Sequence, residues 1–279
     1  MSRAIGAIVL AALLAAASAA AAHHTPLRLV PNAVAFRDRL HGVLGTGYAT
    51  HTGYRGGAIE TTSDGGRTWH VAVLTPRPVV SLTRDGSDYV AQYDDGETLR
   101  SRGGRSWNPV PLSTAGVASL FSDCPQGMFA GTNAGDSSWA LCTTEPGAGN
   151  QGKAVYRNLP ERGWVRVACT GFFNLAPCSE HGQGGISSYG YPLGIAGADD
   201  GFGLIWESRG TLYSTTDGGR HWHAHPKVVR PEIDFGFWAF VLPRGGVGWE
   251  VVGYGGTRYR RLIETTDAGR AWRVVHRWR

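Results

Sequence analysis

Apolar and polar positions fall into short runs along this chain, punctuated by clusters of glycine, aspartate, asparagine and serine. Runs of that kind between turn residues predict β-strands. Two kinds of run recur. One is almost continuously apolar: 33–36, 79–82, 117–121, 193–196 and 235–242, each followed by a second such run at 42–46, 89–92, 128–131, 202–205 and 247–252. Continuous apolar character suits strands buried on both faces, so these are expected as the first and second strands of packed sheets. The other kind alternates, as in Ala58-Ile59-Glu60-Thr61, Thr211-Leu212-Tyr213-Ser214 and Arg261-Leu262-Ile263-Glu264. These are expected as third strands, and each leads into the same turn.

That turn is the most informative element of the chain. Thr62-Ser63-Asp64-Gly65-Gly66-Arg67-Thr68-Trp69 returns as Thr215-Thr216-Asp217-Gly218-Gly219-Arg220-His221-Trp222 and as Thr265-Thr266-Asp267-Ala268-Gly269-Arg270-Ala271-Trp272. A weaker copy keeps Gly104 and Trp107 but has Arg102 where the aspartate stood, and a fifth, at 157–164, keeps little beyond Trp164. The aspartate can fold its carboxylate onto backbone N–H groups, glycine allows φ > 0, and the tryptophan buries a large ring. Five copies of one hairpin mark a repeat fold in which each unit covers its neighbour. The expected architecture is therefore all-β: a five-bladed β-propeller of four-stranded antiparallel blades, with the turn joining strands 3 and 4.

The pattern Ser/Thr-x-Asp-x-Gly-x-x-Trp resembles the Asp-box, or bacterial neuraminidase repeat, of β-propellers. Its carriers here are Asp64, Gly66 and Trp69; Gly104 and Trp107; Asp217, Gly219 and Trp222; and Asp267, Gly269 and Trp272. Gly248-Trp249-Glu250-Val251-Val252-Gly253, followed by 263–272, is similar to the photosystem II stability/assembly factor-like group within the sialidase superfamily. That resemblance implies a protein-partner role. A sialidase-like reading implies a tyrosine nucleophile, an arginine cluster and an acidic donor, and the chain departs from it: Leu27-Arg28-Leu29-Val30-Pro31 is only a loose echo of Phe-Arg-Ile-Pro. The chain also supplies five units where the sialidase propeller needs six.

Composition adds compartment and excludes some chemistry. Arg3, the apolar stretch 4–17 and Ala20-Ala21-Ala22 read as a signal peptide over residues 1–22, leaving a single propeller domain over 23–279. Export to a secreted, periplasmic or other extracytoplasmic site follows, with no integral membrane segment after cleavage. Forty-one glycines and ten tryptophans suit one turn-rich β domain. The net charge of +5 is too mild to argue for nucleic acid, and of the 27 basic residues only Lys153 and Lys227 are lysines. Four cysteines in an exported chain read as two disulfides. Of three possible pairings, Cys124 with Cys142 and Cys169 with Cys178 are favoured as local links.

Insertions point to a working face. Strand 2–3 connections and links between blades share the rim opposite the repeated turn, and the long segments 47–57, much of 132–152, 170–191, 223–234 and 253–260 are assigned there. Their contact candidates are Tyr48, Tyr54, Arg55, Phe172, Phe173, Tyr189, Tyr191, Tyr254, Arg258 and Tyr259, because tyrosine and arginine combine area with hydrogen bonding. The expected function is a non-enzymatic, monomeric binding or scaffold module, with a protein or glycan partner on that rim and no cofactor or metal. The alternatives are a glycoside hydrolase, for which Glu207 and Glu250 are the carboxylates to consider, and a lectin. His221, His223 and His225 alternate and are the one histidine group to weigh as metal ligands; a solvated outer strand is the competing account.

Overall fold

The structure is a computed structural model that describes residues 28–50, 53–110, 128–131, 139–170, 184–208, 211–225, 235–253 and 260–278. It is a five-bladed β-propeller of antiparallel sheets. Blade 1 comprises β1 (Arg28–Phe36), β2 (Gly42–Thr50), β3 (Gly53–Arg55), β4 (Gly57–Thr62) and β5 (His70–Thr75). Blade 2 comprises β6 (Val79–Asp85), β7 (Asp88–Tyr93), β8 (Thr98–Ser101) and β9 (Asn108–Val110). Blade 3 comprises β10 (Met128–Gly131), β11 (Trp139–Thr143), β12 (Lys153–Leu159) and β13 (Gly163–Cys169). Blade 4 comprises β14 (Pro192–Gly197), β15 (Gly203–Glu207), β16 (Leu212–Thr215) and β17 (His223–Ala224). Blade 5 comprises β18 (Phe235–Val241), β19 (Gly248–Gly253), β20 (Arg260–Thr265) and β21 (Arg273–Arg277).

Burial falls from the first strand of a blade to the last, as the run types anticipate. In β1, Val30, Val34 and Phe36 are fully buried along with Ala33 and Ala35, so over 33–36 neither face of the strand meets water. The outer strands β5 and β21 are mostly exposed. First strands also carry a repeated irregularity: the register shifts between Pro31 and Ala33, Val79 and Ser81, Pro192 and Gly194, and Gly236 and Trp238. A bulge at one end of the inner strand increases local twist, which helps a blade wrap around the axis.

Each blade is a continuous stretch of chain, so packing closes the ring rather than an exchanged strand. β1 lies against both β6 and β18, while β14 lies against β10 and β18. Phe36 stacks on Trp249 with ring centroids 3.8 Å apart and planes 10° from parallel. Arg260 adds a polar clasp across the same seam, donating to the Pro31 carbonyl and, at 3.0 Å, to Asn32 Oδ1.

Blade 3 corrects one strand assignment. Met128–Gly131 is its first strand, not its second, and Trp139–Thr143 is the second. The apolar run 117–121 lies outside the described residues. The connection after Gly131 thus joins strands 1 and 2 and does not belong with the strand 2–3 insertion, which reduces to 144–152. First-strand and second-strand runs are both continuously apolar in sequence, which hides their order from a hydropathy pattern. The 47–57 insertion is also more regular than a loop: β2 continues to Thr50 and pairs with β3, Tyr48 opposite Arg55.

Candidate functional site

The two rims of the propeller are built by different chemistry. In the three aspartate hairpins of the repeated-turn rim, the aspartate and threonine bond within the turn itself. Thr62 Oγ1 donates to Asp64 Oδ1 at 2.8 Å and accepts the Gly66 N–H at 3.0 Å. Asp64 Oδ1 also accepts the N–H groups of Arg67 and Thr68, at 2.9 and 3.0 Å. Thr215 and Asp217 repeat this with Gly219, Arg220 and His221, and Thr265 and Asp267 with Gly269 and Ala271. The tryptophan closes the motif: Trp107, Trp222 and Trp272 donate to the carbonyls of Gly104, Gly219 and Gly269.

The turn also reaches the strand 1–2 turn of its own blade. Gly65, Gly218 and Ala268 donate to the carbonyls of Leu40, Gly201 and Gly246 at 2.9, 3.0 and 2.8 Å. Its glycine presses on the blade before it. A Cβ on Gly66 would lie 2.6 Å from Leu262 of blade 5, and one on Gly219 2.8 Å from Val167 of blade 3. The hairpins are locks between blades.

Burial would raise the aspartate pKa values, but the hydrogen bonds win. For Asp64, bonds from the Thr68 side chain and backbone outweigh desolvation and hold the carboxyl at about 2. For Asp217, His221 does the same and the value is again about 2.

The histidines part company in the structure. His221 Nδ1 lies 2.6 Å from Asp217, and His225 Nε2 lies 2.8 Å from Ser214 Oγ. His223 and Ala224 are both exposed.

The described contact candidates fall in two groups. On blade 1, Tyr48 is half-buried and its N–H donates to the Gly56 carbonyl at 3.1 Å, while Arg55 is exposed. The Tyr54 backbone lies in β3 between them. Before blade 4, Tyr189 is 52% exposed, whereas the Tyr191 hydroxyl accepts the Gly149 N–H at 3.0 Å. Phe172, Phe173, Tyr254, Arg258 and Tyr259 lie outside the described residues, as do Cys124 and Cys178. Cys142 and Cys169 are both disulfide-bonded.

Beneath the second group is a feature that hydropathy did not reveal. Lys153, at the start of β12, and Glu207, at the end of β15, form an ion pair at 2.5 Å with neither side chain reaching solvent. Lys153 Nζ also donates to the carbonyls of Ser187 and Tyr189, at 2.7 and 2.9 Å. The segment so held is stitched to the 144–152 connection: Gln151 N–H to Ser188 O at 2.8 Å and Gly190 N–H to Gly149 O at 3.0 Å. Gly190 is required there, since its φ is +85° and a Cβ would press on the Glu207 carboxylate.

Desolvation dominates the electrostatics of this cluster. It pushes Glu207 up to about 7 even with Lys153 pulling down, and it lowers Lys153 despite the carboxylate. Tyr213 is pushed up to about 12, first by burial and then by the Glu207 charge. A pair closed to solvent cannot reach a substrate, so its chemistry is positional: it fixes the backbone that presents Tyr189. The sequence offers Glu207 and Glu250 as a carboxylate pair, but the partner of Glu207 is a lysine from the preceding blade. The available signal was Lys153 itself, one of two lysines in the chain, opening the apolar run Ala154-Val155-Tyr156.

No protein-family profile matches the chain. Among solved structures, YCF48 bound to D1 peptide is similar with a TM-score of 0.37 at 15% identity, covering 89% of this chain and 82% of that one. YCF48 from Cyanidioschyzon merolae gives a TM-score of 0.36 at 16% identity, covering 89% and 86%. By sequence, the chain is 29% identical over 209 residues to the Photosystem II assembly protein Ycf48 of Synechococcus sp. (strain JA-3-3Ab), covering 73% of this chain. It spans about half the length of that relative, 53%. The chain is thus a five-bladed propeller with sequence similarity to a photosystem II assembly protein.

Proposed function

We propose that this chain is an exported, monomeric and non-catalytic β-propeller that binds a protein partner through the rim opposite the repeated turns, in the manner of an assembly factor. Residues 1–22 act as a signal peptide and 23–279 form the mature domain, outside the cytoplasm. The observation that carries the reading is the sequence similarity to a photosystem II assembly protein over most of the chain. The division of the rims supports it. On one rim the aspartate hairpins of blades 1, 4 and 5 are closed on themselves, while the other exposes Arg55 and Tyr189 on connections held by backbone pairing. The engagement of Glu207 with Lys153 also favours binding over glycoside hydrolysis. We take the repeated turns as Asp-boxes with a structural role, and assign the contact set to Tyr48, Tyr54, Arg55, Phe172, Phe173, Tyr189, Tyr191, Tyr254, Arg258 and Tyr259.

The test is crosslinking and co-purification of the mature chain from its native host. A variant with Tyr254, Arg258 and Tyr259 changed to alanine, and another with Arg55 and Tyr189 changed, are expected to lose the captured polypeptide while keeping the wild-type melting temperature. Turnover of fluorogenic glycosides, abolished by Glu250→Gln, would overturn the reading in favour of a hydrolase. Glycan-array signal without turnover would replace it with a lectin.

A further inference from the structure

We propose that the strand 3–4 turn of blade 2 is a carboxylate-binding site, in which an external carboxylate takes the part that the sister turns give to their own aspartate. In those turns one carboxylate oxygen accepts the N–H groups three and four residues on, as Asp217 does from Arg220 and His221 at 2.9 and 3.0 Å. Blade 2 keeps the frame on either side of these amides. Ser101 Oγ accepts the Gly104 N–H at 2.8 Å, Gly104 has φ +79°, and the Trp107 indole donates to the Gly104 carbonyl at 2.9 Å. The exposed Arg102 stands at the acid's position and Arg100 at that of the Thr62 hydroxyl, so the glycine amide is anchored by Ser101, three residues before it rather than four.

The counterpart amides belong to Arg105 and Ser106. Among the described residues neither residue, nor Arg102, has a hydrogen-bond or ion-pair partner. All three line a cavity of about 450 Å³ together with Arg100, Asn108 and Asp88. Arg100 is balanced by Asp85 at 2.6 Å and Asp88 at 3.6 Å. Arg102 and Arg105 therefore leave two uncompensated cations beside two backbone donors and the Ser106 hydroxyl. Converging amides make an anion concavity, and a guanidinium fork matches a carboxylate.

The backbone departs at Gly103 as well: its φ is not positive, unlike the +78° of Gly65 and Gly218. The strand 1–2 turn of blade 2 has only Gly86 and Ser87 between the paired Asp85 and Asp88, too short to offer the carbonyl that receives the Gly65 N–H in blade 1. Among the described residues nothing lies within 4 Å of a Cβ built on Gly103.

The ligand is a carboxylate, either a small free acid or an aspartate or glutamate side chain of a polypeptide. Backbone amide resonances of the mature chain, titrated with acetate, with malonate and with a short aspartate-containing peptide, test this against chloride at matched ionic strength. Saturable shifts at Arg105 and Ser106 with carboxylates, absent with chloride, are expected. Tighter binding of the peptide than of acetate identifies a polypeptide source, and equal binding a free acid. Arg102→Asp should close the turn with its own carboxylate, raise the melting temperature and weaken titration about tenfold or more, since bonds to charged groups are worth that much. Asp267→Ala should create the same response to acetate in blade 5. No saturable shift, equal shifts with chloride, or unchanged titration in Arg102→Asp would each overturn the assignment.

Discussion

Lys153 Nζ lies 2.5 Å from Glu207 Oε1, bridging blades 3 and 4 with both side chains shut off from water. Such a pair is costly to break and inexpensive to replace, because removing one partner leaves a buried charge alone. Lys153→Met is expected to destabilise the protein by about 3–5 kcal/mol, and Lys153→Met/Glu207→Leu to recover most of it. Chemical denaturation of both variants measures this. Burial holds the folded Glu207 pKa above its ordinary value, at about 7. A raised carboxyl pKa means that the folded state keeps a proton the unfolded chain releases, so stability falls as pH rises from about 4.5 through 7. Losing the lysine raises that pKa further. The Lys153→Met defect should therefore shrink at pH 5 and grow at pH 8, and a pH-independent defect would contradict this account.

The aspartate hairpins predict a second, opposite pH dependence. Asp64 and Asp217 titrate at about 2 in the folded state, desolvation being outweighed by hydrogen bonds. A depressed carboxyl pKa contributes stability that is present above the unfolded value and is lost as pH falls through the folded one. The melting temperature should drop between pH 4 and pH 2. Asp64→Asn/Asp217→Asn/Asp267→Asn should start lower and change less over that interval. At neutral pH, Asp217→Ala alone should cost about 1–2 kcal/mol, the worth of a capping carboxylate.

Much of this architecture was legible because one device is copied. Thr215-Thr216-Asp217-Gly218-Gly219 specifies the same bonds as Thr62-Ser63-Asp64-Gly65-Gly66, so reading one hairpin reads all three. Legibility fails where local chemistry stops deciding. The run 128–131 carries no turn device that marks its place in the blade, so hydropathy reads it as a second strand where the structure makes it the first, although the hairpin pairing Leu159 with Gly163 falls within the expected 157–164. The contact candidates were found by residue type, which cannot tell Tyr191, tied to Gly149, from the exposed Tyr189. The Lys153–Glu207 pair joins residues far apart in sequence, and no periodicity reports such a meeting.

Two small residues in equivalent hairpins should respond in opposite directions. Gly219 has φ +88°, and its Cβ would meet Val167 at 2.8 Å and Trp139 at 3.0 Å. Gly219→Ala combines left-handed strain with overpacking and should cost about 2–4 kcal/mol. Ala268 already holds φ +60° where the sister turns use Gly65 and Gly218. Ala268→Gly removes that strain but frees the unfolded chain, so a gain of up to about 1 kcal/mol is expected. Urea titration of the two variants checks the pair of signs.

Disulfide connectivity follows from register. Cys142 and Cys169 each sit opposite Ala154, on β11 and β13 either side of β12. Two strand spacings separate them, about 9–10 Å, whereas bridged cysteines have Cα atoms about 4.4–6.8 Å apart. They cannot be joined to each other, which removes one of the three possible pairings and leaves Cys124 and Cys178 as their partners. Between the remaining two, the local links Cys124–Cys142 and Cys169–Cys178 close the shorter loops. Proteolysis of the unreduced protein, with mass analysis of the linked peptides, is expected to recover those two. Replacing Cys124 and Cys142 together by alanine should then cost about 3 kcal/mol through the freed loop, leaving the other bridge intact. Recovery of a peptide joining Cys142 to Cys178 would mean that blade 3 is tied to the segment before blade 4 covalently as well as through Lys153.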